Sequence, residues 1–373
     1  MKLGIVTYTS LHCNFTNYGT VLQAWALQQA LKKCEDVEPV LVDYCPNTMA
    51  DKDPLAPMKN MWDTDSESRR QCELSLPAIR ENFQKIYDFY HNRMEITEMG
   101  YDANNFDEIE KEGINKFIIG SDSIFDIDEF GLDEVYFANT PLMKNHSITY
   151  APSFQDSIDR YETQDLQKLN KYLMNFNAFS IRENQLVQYV KDNVRPDVAQ
   201  VVDPTLLLEP EEYEQIIAER LVKENYLLYY SRRYNPLLES FVEKVATEKG
   251  LKIVDISLRA TNADKGHIMF YQAGVEEFLS LVKYADCVIT NSFHCLIFAL
   301  QFEKDFYAFS RAHCDRKIEE LLQMVGLFDR YWHDDAIRQI PPINYNEVRS
   351  RIKEKKQQSI DYLKDALLSI SEE

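Results

Sequence analysis

Short apolar runs alternate with stretches of helical period along nearly the whole chain, and this alternation leaves few folds open. Residues 3–8, 37–43, 116–120, 147–151, 178–181 and 199–202 read as strands. Between them, 20–33 places Val21, Leu22, Trp25, Ala26, Leu27 and Leu31 at helical spacing, and 78–90, 164–176 and 184–191 also read as helices. Residues 46–70, punctuated by Pro46, Pro54 and Pro57, read as an irregular excursion. Strands separated by crossover helices make a parallel sheet. The charged stretch 208–224 interrupts the pattern, which then restarts with strands at 226–230, 252–256, 287–290 and 305–308 and helices at 235–249, 275–284 and 293–300. The expectation is α/β: a first domain over 1–210, a second over 211–340, and a long amphipathic helix within 341–373 packed on the body.

Charge and glycine usage narrow the partners. Lys plus Arg is 41 and Asp plus Glu is 61, a net charge of −20, which disfavours nucleic acid and anionic membranes because both need clustered cations. No two of the ten glycines lie closer than seven residues apart. Neither standard glycine-rich phosphate loop can therefore form. The seven cysteines, Cys314 among them, include no C-x-x-C pair, and the histidines include no H-E-x-x-H, so no metal and no cofactor is expected. The N-terminal apolar run is too short for a signal peptide, and no run nears the ~18 residues of a membrane span. A cytoplasmic protein with reduced thiols is expected.

Ligands of open α/β sheets bind outside the carboxyl ends of the strands. Those ends carry Asn17, Tyr18 and Gly19; Ser121, Asp122 and Ser123; Ser153; Arg182 and Glu183; Asp203; Arg232 and Arg233; and Asn291, Ser292 and His294. Turns and helix caps use the same residue types, and capping alone explains several of these positions. Three spots go further. Arg182 stands before a helix start, where a cation gains nothing from the helix dipole, so it answers either an anionic ligand or a neighbouring carboxylate. Arg232 and Arg233 repeat the situation, although adjacent side chains should diverge and leave one solvated. His294 falls in the first turn of a helix, where amides and imidazole together suit an anion or a developing negative charge; a capping or core histidine is the plainer account.

Together these blocks resemble the polysaccharide pyruvyltransferase family. The matching stretches are Asn17-Tyr18-Gly19-Thr20 through Gln28, Gly120-Ser121-Asp122, Tyr150-Ala151-Pro152-Ser153, Ser180-Ile181-Arg182-Glu183, Val202-Asp203-Pro204-Thr205, Thr290-Asn291-Ser292-Phe293-His294, and 316–330, in family order. The resemblance implies two Rossmann-like domains facing across a cleft, as in GT-B glycosyltransferases. It also implies transfer of a pyruvyl group from phosphoenolpyruvate to a sugar, glycan or lipid-linked glycan as a ketal, in capsule or cell-wall polysaccharide synthesis. On this reading His294 and Asp122 are catalytic. Asn17, Tyr18, Gly19, Ser153, Arg182, Arg232, Arg233 and Ser292 bind substrate, with guanidinium groups on the donor's two anions. The chain departs from the family at Ser123 and Phe125, where Gln and Trp are usual, and at Cys295, where Gly is usual. The first two departures are expected to alter acceptor recognition. The third is expected to crowd the phosphate, and its thiol to be a plain small core residue ahead of a thiolate nucleophile. A nucleotide-sugar glycosyltransferase or a non-catalytic binding protein on the same fold are the alternatives.

Overall fold

The computed structural model describes residues 1–61, 63–155, 158–311 and 315–371. Cys314 lies outside them. In the first domain β1 (Lys2–Val6), β2 (Glu38–Leu41), β3 (Lys116–Ile119) and β4 (Ser147–Thr149) pair in parallel in the order β2-β1-β3-β4. The pair β5 (Phe179–Ile181) and β6 (Val198–Gln200) continues this sheet through a parallel bridge from Ile148 to Ala178. The second domain holds β7 (Tyr226–Tyr230), β8 (Lys252–Ile256), β9 (Ile268–Met269), β10 (Cys287–Thr290), β11 (Asp305–Phe309) and β12 (Tyr331–Trp332). Their order is β12-β11-β10-β7-β8-β9, again all parallel. This is the doubly wound dinucleotide-fold order, whose topological switch lies between β7 and β10. The first sheet reverses its winding between β1 and β3.

The strands agree with the apolar runs, apart from the two-residue β9 and β12, which are too short to show a period. The excursion expected over 46–70 gives way to helix at Ser66. Asp65 caps that helix by accepting from the amides of Glu67 and Ser68, both at 3.0 Å, and the helix runs to Arg93 with Pro77 inside it.

One helix, Tyr18–Leu31, belongs to both domains. Twelve of its fourteen residues are buried, around its whole circumference. A helix apolar all round needs partners on every side. Tyr18 stacks on Phe278 with ring centroids 4.3 Å apart, and Trp25 packs on Tyr213 at 5.5 Å. A single apolar core consequently runs from Leu3 and Ile118 of the first sheet to Leu228 and Val288 of the second.

The helix Tyr345–Ser371 returns from the second domain to the first. It buries Val348, Leu363, Leu367 and Ile370. Its Tyr362 hydroxyl donates to the Thr149 carbonyl, and its Ser359 hydroxyl accepts from the Val202 amide, both at 2.9 Å. Among the described residues no helix is long and apolar enough to cross a membrane.

Candidate functional site

The carboxyl ends of the two sheets face each other across a cleft of about 350 Å³. Its walls carry opposite charge. The first domain contributes Asp122, Asp126, Asp128 and Glu129, with Arg160 bound to Asp128 at 2.7 Å so that the wall stays net acidic; the second contributes Arg232, Arg233, Arg311 and Lys317, with Ser292 and His294 among them. Both topological switch points open into this space: the loop after β3 supplies Asp122, and the loops after β7 and β10 supply the arginines and the histidine.

The acidic wall is set by local geometry. Gly120, at φ +123°, lets the chain turn off β3, and a Cβ there would lie 2.2 Å from the Tyr150 carbonyl oxygen, so only glycine fits. The loop is then pinned by the shared helix. Thr20 donates to Asp122 Oδ2 at 2.9 Å, and Gln23 Oε1 accepts from the Ser121 amide at 3.2 Å. Burial alone would raise the Asp122 carboxyl. The nearby charges of His294, Lys317 and Arg182 and the Thr20 bond outweigh it and hold the group below its ordinary range. Glu129 goes the other way: loss of solvent, then the charges of Asp126 and Asp122, push it up to about 7.

The basic wall is cross-linked. Asn291 Oδ1 accepts from the Arg232 amide at 3.0 Å while its Nδ2 donates to Ser231 Oγ at 3.1 Å, which ties the loop after β7 to the loop after β10. Arg232 donates to the Thr16 carbonyl at 2.7 Å across the cleft. Ser292 caps the helix Phe293–Gln301, leaving that helix's first amides and its dipole at the cleft.

His294 sits where the walls meet. It is 5 % exposed and lines the cleft. Its Nε2 lies 3.3 Å from Asp203 Oδ2, the oxygen that also accepts from Arg182 Nη1 at 2.6 Å. Asp203 Oδ1 accepts from the Thr205 amide at 3.0 Å and its hydroxyl at 2.6 Å. Burial would raise the Asp203 carboxyl, but the imidazole, Arg182 and Thr205 hold it well below the usual carboxylate range. The other edge of the imidazole rests on Gly19: a Cβ there would fall 2.0 Å from His294 Nδ1. Gly19→Ala is therefore expected to push the ring out of place and remove nearly all turnover. The same Cβ would fall 2.8 Å from His294 Cβ, which a ring rotation does not clear, so Tm should fall together with kcat. Retained kcat in Gly19→Ala would show that the ring position does not matter.

Of the residues singled out in the sequence, Asn17, Asp122, Arg232, Arg233, Ser292 and His294 meet in the cleft. Arg232 and Arg233 both line it, against the expectation that one would be merely solvated; the turn after β7 presents both side chains to the same hollow. Three others are engaged elsewhere. Arg182 does not line the cleft. Its guanidinium is bound to Asp203, 3.6 Å from Glu183, and packed over the Phe293 ring at 4.8 Å. Ser153 is buried and donates to Glu183. Tyr18 is buried between the domains, its hydroxyl donating to the Ala273 carbonyl at 2.7 Å. Sequence reasoning passed over Glu129, Arg311 and Lys317. Lys317 left a trace: it lies on the apolar face of the helix Asp315–Val325, one turn before Leu321, where a surface lysine has no place. Among the described residues no His, Cys, Asp and Glu side chains group to hold a metal ion.

The sequence model of the polysaccharide pyruvyl transferase family matches residues 17–313, most of the chain. The chain belongs to that family. Membership makes it a transferase of the kind that modifies polysaccharides. No curated protein matches it by sequence. Among solved structures, a Listeria monocytogenes protein assigned as a UDP-N-acetylglucosamine 2-epimerase covers 100% of this chain and 90% of its own at 11% identity and TM-score 0.50. The S. aureus MnaA–UDP complex covers 99% and 94% at 13% identity and TM-score 0.48. At 11% identity and TM-score 0.50 the likeness to the Listeria protein shows the fold alone, two parallel α/β domains facing across a cleft.

The three departures from the family's usual residues fall in different places. Ser123 lines the cleft. Phe125 does not: it is fully buried among Phe137, Phe154, Phe176 and Phe179, so it fills core and reads no ligand. Cys295 is 0 % exposed inside the helix, in ordinary helical backbone, and crowds nothing in the cleft. Burial pushes its thiol up to about 12, which removes it as a nucleophile.

Proposed function

We propose that the cleft transfers the pyruvyl group of phosphoenolpyruvate to two hydroxyls of a sugar or glycan as a ketal. The observation that carries this reading is the segregation of charge. A donor with both a carboxylate and a phosphate matches Arg232, Arg233, Arg311 and Lys317 together with the amides at the Ser292-capped helix. An uncharged acceptor matches the opposite wall, where Asp122, Asp126 and Glu129 accept hydroxyl protons in hydrogen bonds. In the reaction C3 of the enol gains a proton and C2 gains bonds to both acceptor oxygens. C2 loses its bond to the phosphate oxygen, and inorganic phosphate leaves with the second hydroxyl proton. His294, oriented by Asp203 and placed between the walls, moves the proton between hydroxyl and enol. Asp122 takes the place of the counter-charge that steadies it.

Thermal denaturation tests the donor. Phosphoenolpyruvate at about 100 times its Kd should add about 2.7 kcal/mol, a clear rise in Tm. Stabilisation by UDP or GDP instead would replace this reading with nucleotide-sugar transfer, and stabilisation by none of them would leave a binding protein.

Glu129 makes a second prediction. With its carboxyl near 7 in the folded chain and near 4.5 unfolded, the native state holds the proton more tightly. Its contribution to stability is present at low pH and is lost as pH rises through about 7. Glu129→Gln should flatten that loss between pH 5 and 8 and shift the neutral limb of the kcat/KM profile. An unchanged profile and unchanged pH–stability curve would remove Glu129 from the proton chemistry.

A further inference from the structure

Closing a ketal takes two proton transfers, and the reaction above gives a carrier to one of them. His294 moves the first hydroxyl proton to the enol. The second half starts with C2 joined to one acceptor oxygen and still to the phosphate oxygen. To leave, that bridging oxygen must take a proton, and the second hydroxyl must give one up. Between the two events C2 is cationic. Chemistry of this kind uses two carboxyl groups of opposed proton affinity, one neutral to hand over the proton and one ionised to face the cation.

The acidic wall carries such a pair. Asp122 lies in the loop after β3, 5 % exposed, with Oδ2 held by Thr20 at 2.9 Å. Against its burial, His294, Lys317, Arg182 and Thr20 keep it in the ionised form. Glu129 stands in the short helix Ile127–Phe130 and lines the same cleft. Asp126 starts that helix. Its Oδ1 accepts from the Asp128 amide and the Tyr161 hydroxyl, both at 3.1 Å, and its Oδ2 accepts from Gln155 Nε2 at 3.0 Å. The same Nε2 reaches Glu129 Oε2 at 3.4 Å, which sets the two carboxyl groups side by side. Held by three donors, Asp126 cannot turn away from its neighbour. Asp122 is the second like charge on Glu129, and the buried Tyr8 hydroxyl stands near it. Asp128 is bound to Arg160, and Lys52 lines a smaller hollow on the far side of Glu129. From the opposite wall Lys317 and Arg232 act on Glu129 with opposite sign. Arg232 also reaches the Thr16 carbonyl at 2.7 Å, so a small group held by this arginine lies close to the first domain.

We propose that Glu129 is the second acid–base group of the reaction: its carboxyl protonates the bridging oxygen as the C2–O bond to phosphate breaks, and the carboxylate left behind takes the proton of the second hydroxyl as that oxygen bonds C2. The electron pair of the broken bond leaves on the phosphate oxygen. Asp122 stays ionised throughout and faces the cationic carbon. The proton balance closes, since the proton that phosphate carries off is restored to Glu129 by the second hydroxyl. The inference rests on the donor reading of the cleft and fills the one transfer for which that reading has no carrier.

The test is titration calorimetry of phosphoenolpyruvate into the full chain at about pH 7.5, in buffers of different ionisation enthalpy, which counts protons. Glu129 is mostly ionised there in the free chain, because loss of solvent and the charges of Asp126 and Asp122 bring its carboxyl to about 7. A bound donor neutralises Lys317 and Arg232, the cations that pull this carboxyl down, and adds negative charge of its own. Binding should therefore take up about half a proton or more per donor. Glu129→Gln should bind the donor at least as tightly without that uptake, and its pyruvyl transfer should fall about 10²–10⁴-fold. The ¹³C signal of the Glu129 carboxyl, identified by its absence from Glu129→Gln, should move to the protonated position on binding. Donor binding without proton uptake, uptake that persists in Glu129→Gln, or transfer at the parent rate in that variant would each overturn the proposal. Absence of any phosphoenolpyruvate binding to the parent chain would instead sink the donor reading on which it rests.

Discussion

Substituting alanine for His294 is expected to lower the rate of pyruvyl transfer by about 10²–10⁴-fold, the usual range for a lost proton-transfer group. The fold should survive, because Asp203 keeps Arg182 and Thr205 as partners when the imidazole is gone. On the proposed reading the loss should appear in kcat more than in KM, since that reading gives the donor's anions to the cations of the second domain. Far-ultraviolet circular dichroism and the phosphoenolpyruvate Tm shift serve as controls. A variant that transfers pyruvate at the parent rate would take His294 out of the chemistry and leave it as filler over Gly19.

Asp203→Ala should act on stability first. Asp203 is fully buried and is the close partner of Arg182, whose guanidinium is itself almost wholly buried. Removing one member of a buried pair strands the other charge, at a cost of about 3–5 kcal/mol. Glu183, at 3.6 Å, is too distant to replace the 2.6 Å contact. The same carboxylate also steadies His294 and the turn at Thr205, so activity should fall with stability. Because the folded-state carboxyl lies below its unfolded value, the stability it provides is present above about pH 4 and lost as pH falls further. Urea denaturation at pH 7 measures the effect, and a change under about 1 kcal/mol would show that Arg182 does not depend on this partner.

The alternation of strands and helices was legible because each buried strand is a continuous apolar run and each crossover helix keeps its period. The positions of His294, Arg232 and Arg233 followed from one rule about strand ends. What escaped was decided by contacts distant in the chain. Arg182 follows a strand as Arg232 does, but Asp203 lies 21 residues on and folds against it. Tyr18 sits in the same block as Asn17, yet the helix turns it toward Phe278 instead of the cleft. Glu129 lies in an ordinary acidic stretch, and only the closure of the first domain around it changes its proton affinity. Residues 66–77 were hidden by prolines that precede or interrupt a helix without preventing it.

The helix Tyr18–Leu31 explains why its sequence block was so recognisable. Asn17, Gly19, Thr20 and Gln23 serve the cleft, by capping, by making room for the imidazole and by fixing the loop after β3. Val21, Leu22, Trp25 and Leu27 are answerable to two sheets at once. A change on any face of this rod has to be accommodated by neighbours that are far apart in sequence and cannot adjust independently. The longest block by which the family is recognised is for the most part a shared rod on which both sheets are seated.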